Sequence, residues 1–264
     1  QTENANVKLT ADRAAVATNT NSLILNGFGI TNPGGAVTIP ISSASLAGNI
    51  LINSATNIAG SNTTLGITTT ELDILATANS TISAVIGTAT TGSLTLSGTG
   101  NVTLSAANLY TSTTFVNGAT LTAGVSNALS SGGVTMRSGL YDLNGNSDTV
   151  GAISLTGSTI STGAGTLTGN GSFTTATNAN FASIITGNLG LGANATFTIG
   201  DGLMDNDAVI SAVISGGFTF GKAGAGVLEL SNSNTFSGIT TISAGILRLG
   251  TAGGGTNTPL GTTA

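Results

Sequence analysis

Asp201, Asp205 and Asp207 form the densest group of chemically capable side chains in this 264-residue chain, in the run Asp201-Gly-Leu-Met-Asp205-Asn-Asp207. Three carboxylates and the Asn206 carboxamide are oxygen donors of the kind a hard cation such as Ca²⁺ prefers. The run lacks the Asp-x-Asp-x-Asp-Gly spacing of an EF-hand loop. It is a weak Ca²⁺ candidate on a solvated loop. A second group is Arg137, Asp142 and Asp148, because a β-eliminating lyase needs carboxylates to hold Ca²⁺ and a basic residue to take the proton. Glu71 and Asp73 are a lesser acidic pair. Glycoside hydrolysis needs two carboxylates at short separation, yet most of the ten acids stand alone in sequence. With no His and no Cys, Ser-His-Asp triads and His or Cys metal sites are excluded. Gly221-Lys-Ala-Gly-Ala-Gly226 superficially suggests a phosphate loop, but its Lys precedes the glycines and a strand pattern follows them, which is a turn. The chain is therefore read as non-enzymatic and without a cofactor, Ca²⁺ apart.

The elements that must carry these residues are short strands. Pairs such as Leu94-x-Leu96, Val102-x-Leu104, Val134-x-Met136, Ile153-x-Leu155, Phe197-x-Ile199, Phe218-x-Phe220, Leu228-x-Leu230 and Leu247-x-Leu249 place two apolar side chains on one face of a strand. Gly, Asn, Ser and Thr fill the gaps, and these residues turn a chain tightly. Forty glycines, 6% charged residues and a mean hydropathy of +0.38 set the chain apart from an average globular domain. The regular apolar spacing argues for order rather than disorder.

Two periodicities select a solenoid. Leu228 to Leu247 and Leu230 to Leu249 are each 19 residues apart, a sensible single turn of a β-helix. A longer repeat runs from Gly100-Asn-Val-Thr-Leu-Ser-Ala-Ala-Asn-Leu-Tyr110 to Gly226-Val-Leu-Glu-Leu-Ser-Asn-Ser-Asn-Thr-Phe236, an offset of 126 residues. It pairs Asn108 with Asn234, Tyr110 with Phe236, Val116 with Ile242 and Leu121 with Leu247. Ser83-Ala-Val-Ile86 likewise returns as Ser211-Ala-Val-Ile214. The expected fold is all-β, a right-handed parallel β-helix of about a dozen short coils. Stacked about 4.8 Å apart, these would make a rod on the order of 60 Å. Residues 41–264 form this β-helix, with related blocks at about 82–124 and 210–250. Residues 1–40 differ. Glu3, Lys8, Asp12 and Arg13 cluster there, Ala11 to Ala17 has mild helical character, and Asn32-Pro-Gly-Gly35 reads as a turn. They are either an N-terminal cap or an extended arm that pairs with a neighbour.

Charge narrows the partners. A net charge of −5, with Lys8, Arg13, Arg137, Lys222 and Arg248 scattered, cannot build the basic stripe that nucleic acid requires. The same scarcity argues against an electrostatic membrane anchor, and no apolar run is long enough for a membrane helix. The chain opens at Gln1 without a signal-peptide pattern, which reads as a mature or excised segment. Asn62, Asn79, Asn101, Asn170 and Asn194 head Asn-x-Ser/Thr sequons, which an Asn- and Thr-rich chain generates by chance.

The stretch Lys222-Ala-Gly-Ala-Gly-Val-Leu-Glu-Leu-Ser-Asn-Ser-Asn-Thr-Phe-Ser-Gly-Ile-Thr-Thr-Ile-Ser-Ala-Gly-Ile-Leu-Arg-Leu-Gly250 resembles the autotransporter-associated β-strand repeat. The order is a Gly-rich turn, Leu-x-Leu, Ser-x-x-Asn-x-aromatic, a Thr-rich strand and Ala-Gly-x-Leu-x-Leu. The first copy, up to Gly124, is degenerate. The resemblance implies a β-helical passenger, extracellular or on the surface of a bacterium. Its implied role is a stalk, fibre or filament that self-associates end to end and supports adhesion. The alternative is an adhesin passenger that takes a host protein or glycan on outward loops; a β-helical polysaccharide lyase or hydrolase ranks third. Exposed aromatics would favour recognition, and Tyr110 and Tyr141 are the only tyrosines, with no Trp.

Overall fold

The computed structural model describes residues 5–8, 11, 13–14, 20–31, 36–41, 48–59, 62–66, 71–87, 92–176, 181–252 and 257–262. Glu3, Asp12 and the Asn32-Pro-Gly-Gly35 turn lie outside these residues. The chain divides into two compact units, Gln1–Gly132 and Gly133–Ala264. Each is a parallel β-solenoid, and no helix occurs among the described residues.

In the first unit one wall stacks Ala5–Lys8, Thr20–Asn26, Gly48–Ser54, Glu71–Ala76, Ser93–Gly98 and Thr114–Asn117. A second wall stacks Arg13–Ala14, Ile30–Thr31, Thr56–Ile58, Ser80–Ile82, Asn101–Leu104 and Thr120–Ala123. A third holds Val37–Pro40, Thr63–Gly66 and Val85–Ile86. Arg13–Ala14 is thus extended, where the local composition suggested mild helical character, because pairing with Ile30–Thr31 outweighs a weak local preference.

The second unit repeats the plan. Its first wall is Val134–Arg137, Ile153–Thr156, Phe173–Thr175, Ala195–Ile199, Phe220–Ala223 and Thr240–Ile242. Its second is Leu140–Asp142, Thr159–Ser161, Ser183–Thr186, Ala208–Ile210, Val227–Leu230 and Ile246–Leu249. Asp148–Val150, Leu167–Gly169, Asn188–Leu191 and Val213–Ser215 make the third. Several rungs have no third-wall strand among the described residues. The described turns come to about nine, slightly fewer than the dozen expected.

Alternation decides what is inside. In the first unit Leu23, Ile50, Ile74, Leu96 and Val116 are successive register partners, and all are buried. Ile30, Ile58, Ile82, Leu104 and Ala123 form the facing column. In the second unit Tyr141, Ile160, Ile185, Ile210, Leu230 and Leu249 are in register. Leu228 pairs with Leu247 and Leu230 with Leu249, as the spacing of 19 predicted. Phe218-x-Phe220 is the exception. The strand begins at Phe220, and Phe218 stands 40% exposed on the turn before it.

Phe173, Phe197, Phe220 and Phe236 stack through this core, with centroids 4.4, 4.6 and 5.4 Å apart in turn. Such offset stacks add to the burial of the rings themselves. Corners turn on glycine at equivalent places in the two repeats. Gly98 has φ 107° and Gly224 φ 76°, and a Cβ on either would collide with a carbonyl of the preceding rung, Ala76 or Ile199.

Candidate functional site

The proposed acidic site is not assembled as a metal centre. Asp207 is 8% exposed, and both its oxygens accept backbone hydrogen bonds, Oδ1 from Gly202 N at 2.7 Å and Oδ2 from Val227 N at 2.8 Å. Its carboxylate fastens the foot of a loop to the next rung. Asp201 and Asp205 face solvent. Among the described residues no three His, Cys, Asp or Glu side chains gather closely enough to hold a metal. The physical reason is that the backbone amides of Gly202 and Val227 take up both oxygens of Asp207, while Asp201 and Asp205 stay in solvent.

Arg137, Asp142 and Asp148 do not build a lyase site either. Arg137 is exposed, and Asp142 Oδ1 accepts from Asn144 N at 2.9 Å within its own turn. Asp148 is 2% exposed, inside the solenoid. It accepts from Tyr141 Oη at 2.6 Å and from Thr149 N at 2.8 Å. Period-two alternation puts Asp148 on the inward side with Val150, whereas Asp142 alternates with the inward Tyr141 and points the other way.

Both tyrosines are inward. Tyr110 and Tyr141 are buried, and Tyr110 Oη shares a 2.6 Å hydrogen bond with Thr114 Oγ1. Neither supplies the exposed aromatic that surface recognition would use.

The repeated asparagines have a different role from any the sequence suggests. Asn108 Oδ1 accepts from Ile86 N at 2.7 Å, and its Nδ2 donates to Ala128 O at 2.6 Å. Asn234 Oδ1 accepts from Ile214 N at 2.7 Å, and its Nδ2 donates to Pro259 O at 2.7 Å. Each asparagine is buried and ties the segment before it to the segment after it. Ile86 and Ile214 end the two Ser-Ala-Val-Ile tetrapeptides, so both halves of the sequence repeat meet in one contact. The only sequence signal was the pairing of the two asparagines at equal offset.

Lys222 is a further departure. It occupies an inward position between Phe197 and Ile242 in the register, and it is fully buried. Its Nζ donates to the carbonyls of Ala223 at 2.9 Å, Gly224 at 2.8 Å and Ala244 at 3.0 Å. An ammonium has three donors, and all three are used. Burial lowers its pKa, against an opposing pull from Asp207. The phosphate-loop likeness around it is a corner in which the lysine holds backbone carbonyls of two rungs.

Glu71 and Asp73 lie on one outward face of Glu71–Ala76, where Glu71 accepts from Thr95 Oγ1. Asp73 Oδ1 is buried without a hydrogen-bond partner. Burial first, and then the charge of Glu71, raise the Asp73 pKa above 3.8. The folded state then holds its proton more tightly than the unfolded chain. The contribution is fully present below 3.8 and is lost as pH rises through the folded value. Asp73→Asn is expected to raise the thermal midpoint at neutral pH, with the gain fading as the pH is lowered towards 3. Midpoints equal for both proteins at neutral pH would contradict this account.

Two surfaces remain. An open polar groove on the second wall of the first unit is lined by Asn57, Asn79, Thr81, Asn101 and Thr103. Asn79 Oδ1 accepts from Asn101 N at 3.0 Å there, and Thr122 Oγ1 donates to Asn101 Oδ1 at 2.9 Å. In the second unit the other surface is the outer side of the rung Thr240–Ile242 and Ile246–Leu249, which no other described strand covers. Ile242, Ile246 and Leu249 are 55, 55 and 47% exposed, while Val116 and Ala123, the residues of the first copy equivalent to Ile242 and Leu249, are buried. The strands Asn257–Thr258 and Gly261–Thr262 form an antiparallel hairpin bonded to Asn234 and Phe236, on the third side of that rung. No helix of the described residues is long and apolar enough to cross a membrane.

The model of the passenger-associated-transport-repeat matches residues 91–123 and 220–249. These fall within the two blocks found by internal repetition. They contain the equivalent pairs Asn108 with Asn234 and Gly98 with Gly224. No curated protein and no solved structure matches the chain.

Proposed function

We propose, from the premise that this chain carries two passenger-associated transport repeats on a parallel β-solenoid, that it is structural passenger material of a bacterial surface or secreted protein. Its work is mechanical. Copies associate end to end into a stalk or filament that supports adhesion, and catalysis has no part in it. The observation that carries this reading is the parallel register kept from rung to rung within each unit, with the matched repeats at equivalent places in the coil. Among the described residues, Thr240–Ile242 and Ile246–Leu249 are paired with a strand on one side only. Open parallel edges of this kind template further strands unless they are blocked. The inward positions Ile242 and Leu249 expose apolar surface where another rung would bury it. A contact between unlike ends propagates into a filament when its rotation does not close a ring.

Electron microscopy of the purified chain at high and low concentration tests this. Filaments that grow with concentration are expected, and Ile242→Lys with Leu249→Lys should leave short isolated particles. The reading fails if the wild-type chain stays monomeric at high concentration, or if the double variant assembles as well as the parent.

A further inference from the structure

Corners between the first and second walls are short throughout most of the second unit, being residues 138–139, 157–158, 224–226 and 243–245. Two successive rungs depart from this, with residues 176–182 and 200–207 between their strands. Ser183 and Ala208 are register partners, and Ser183 N donates to Asp207 O at 3.0 Å. The two longer connections therefore rejoin the coil at the same corner, on neighbouring rungs.

Their described residues carry apolar side chains that the fold does not use. Phe181 is 65% exposed, Met204 39%, and Leu203 at 84% is the most exposed large apolar residue among those described. The stem below Leu203 and Met204 is held firmly. Asp207 bonds Gly202 N and Val227 N, and Asn206 Nδ2 donates to Glu229 Oε2 at 2.7 Å. A tip with apolar anchors on a fixed stem loses little conformational freedom on binding. Asp201 and Asp205 flank Leu203-Met204 in sequence and are exposed.

We propose that Phe181, Leu203 and Met204 form a protein-recognition site whose partner offers an apolar pocket rimmed by basic side chains. In solenoids, insertions collect on the face that binds. Exposed apolar anchors of this size are what protein interfaces bury at their centres. The flanking Asp201 and Asp205 carboxylates call for positive charge opposite them, which steers encounter and selects the partner. A second copy of this chain is a poor source of that charge. It has five basic residues, of which Lys222 is inside the core and Arg248 Nη1 is engaged by Asn206 Oδ1. An anionic lipid surface is disfavoured by the same two carboxylates.

The test uses the full chain on an array of short peptides built from Leu, Phe, Lys, Arg and Ser, with a matched array carrying Glu for every Lys and Arg. Retention on the basic apolar peptides and not on the acidic set is expected. Phe181→Ser with Leu203→Ser should weaken it about tenfold or more, as loss of central anchors does. Asp201→Asn with Asp205→Asn should weaken it less and flatten its salt dependence. Both variants should keep the parent's thermal midpoint, since the replaced side chains are outside the core. The proposal is overturned by equal retention of the Ser variant, by retention on the acidic array, or by no retention at all. Binding to phosphatidylcholine vesicles that Leu203→Ser abolishes would also overturn it, making the loops a lipid anchor. Filament growth is a separate readout, so failure here leaves the end-to-end reading standing.

Discussion

Asn108→Ala should lower the stability of its repeat by about 3 kcal/mol, the sum expected when a buried N–H and a buried C=O both lose their partner. The two groups left behind are Ile86 N and Ala128 O, at 2.7 and 2.6 Å from the side chain in the parent. Water cannot readily replace the amide, because Asn108 is 7% exposed. Asn108→Asp should also be costly, since it keeps the acceptor for Ile86 N but points a carboxylate at the Ala128 carbonyl. Asn234→Ala should show a similar loss, through Ile214 N and Pro259 O. Denaturant unfolding followed by circular dichroism measures these effects. Repeat arrays can unfold in parts, so hydrogen exchange at Ile86 and Ile214 gives the local reading. A midpoint for Asn108→Ala equal to that of the parent, with Ile86 still protected, would show that the contact does not pin the rungs.

Phe197→Ala should cost about 4 kcal/mol, in the range for large aromatic truncations in a packed core. Phe197 is 1% exposed and stacks on Phe173 at 4.4 Å and on Phe220 at 4.6 Å, so one substitution breaks two ring contacts. It also opens a void beside Lys222, its register partner. Phe236→Ala, at the end of the stack with one ring contact at 5.4 Å, should cost less. Equal losses at the two positions would mean that burial alone, and not stacking, sets the energy.

The apolar columns were legible because strand alternation is local. Any Leu-x-Leu pair must face one way, and the 19-residue spacing predicted the pairing of Leu228 with Leu247 that the ladder has. The repeat was legible for the same reason, since equal offset implies equivalent places in the coil. Lys222 was half legible. Its two-residue spacing from Phe220 already put it on the inward face, but charge argued for the surface, and only three carbonyls at one corner make burial tolerable.

The candidate sites were mostly illegible. Asp201, Asp205 and Asp207 are neighbours in sequence, yet the amides of Gly202 and the distant Val227 hold Asp207 and the other two stay in water. Asn108 was marked only by its equal offset from Asn234, and its role was not legible because its partners lie 22 and 20 residues away. Only the structure shows that Phe181 and Leu203, 65 and 84% exposed, do not reach the interior. By itself, then, the sequence determined the strand period, the coil length, the equivalence of the two repeats and the absence of histidine and cysteine chemistry, all of which depend on residue type and local spacing. The tertiary structure alone decided which polar groups are buried as pins, which carboxylates are used up on the backbone, and which apolar residues stay in water. Those outcomes depend on what the neighbouring rung places opposite each side chain, and that neighbour is a full coil away along the chain.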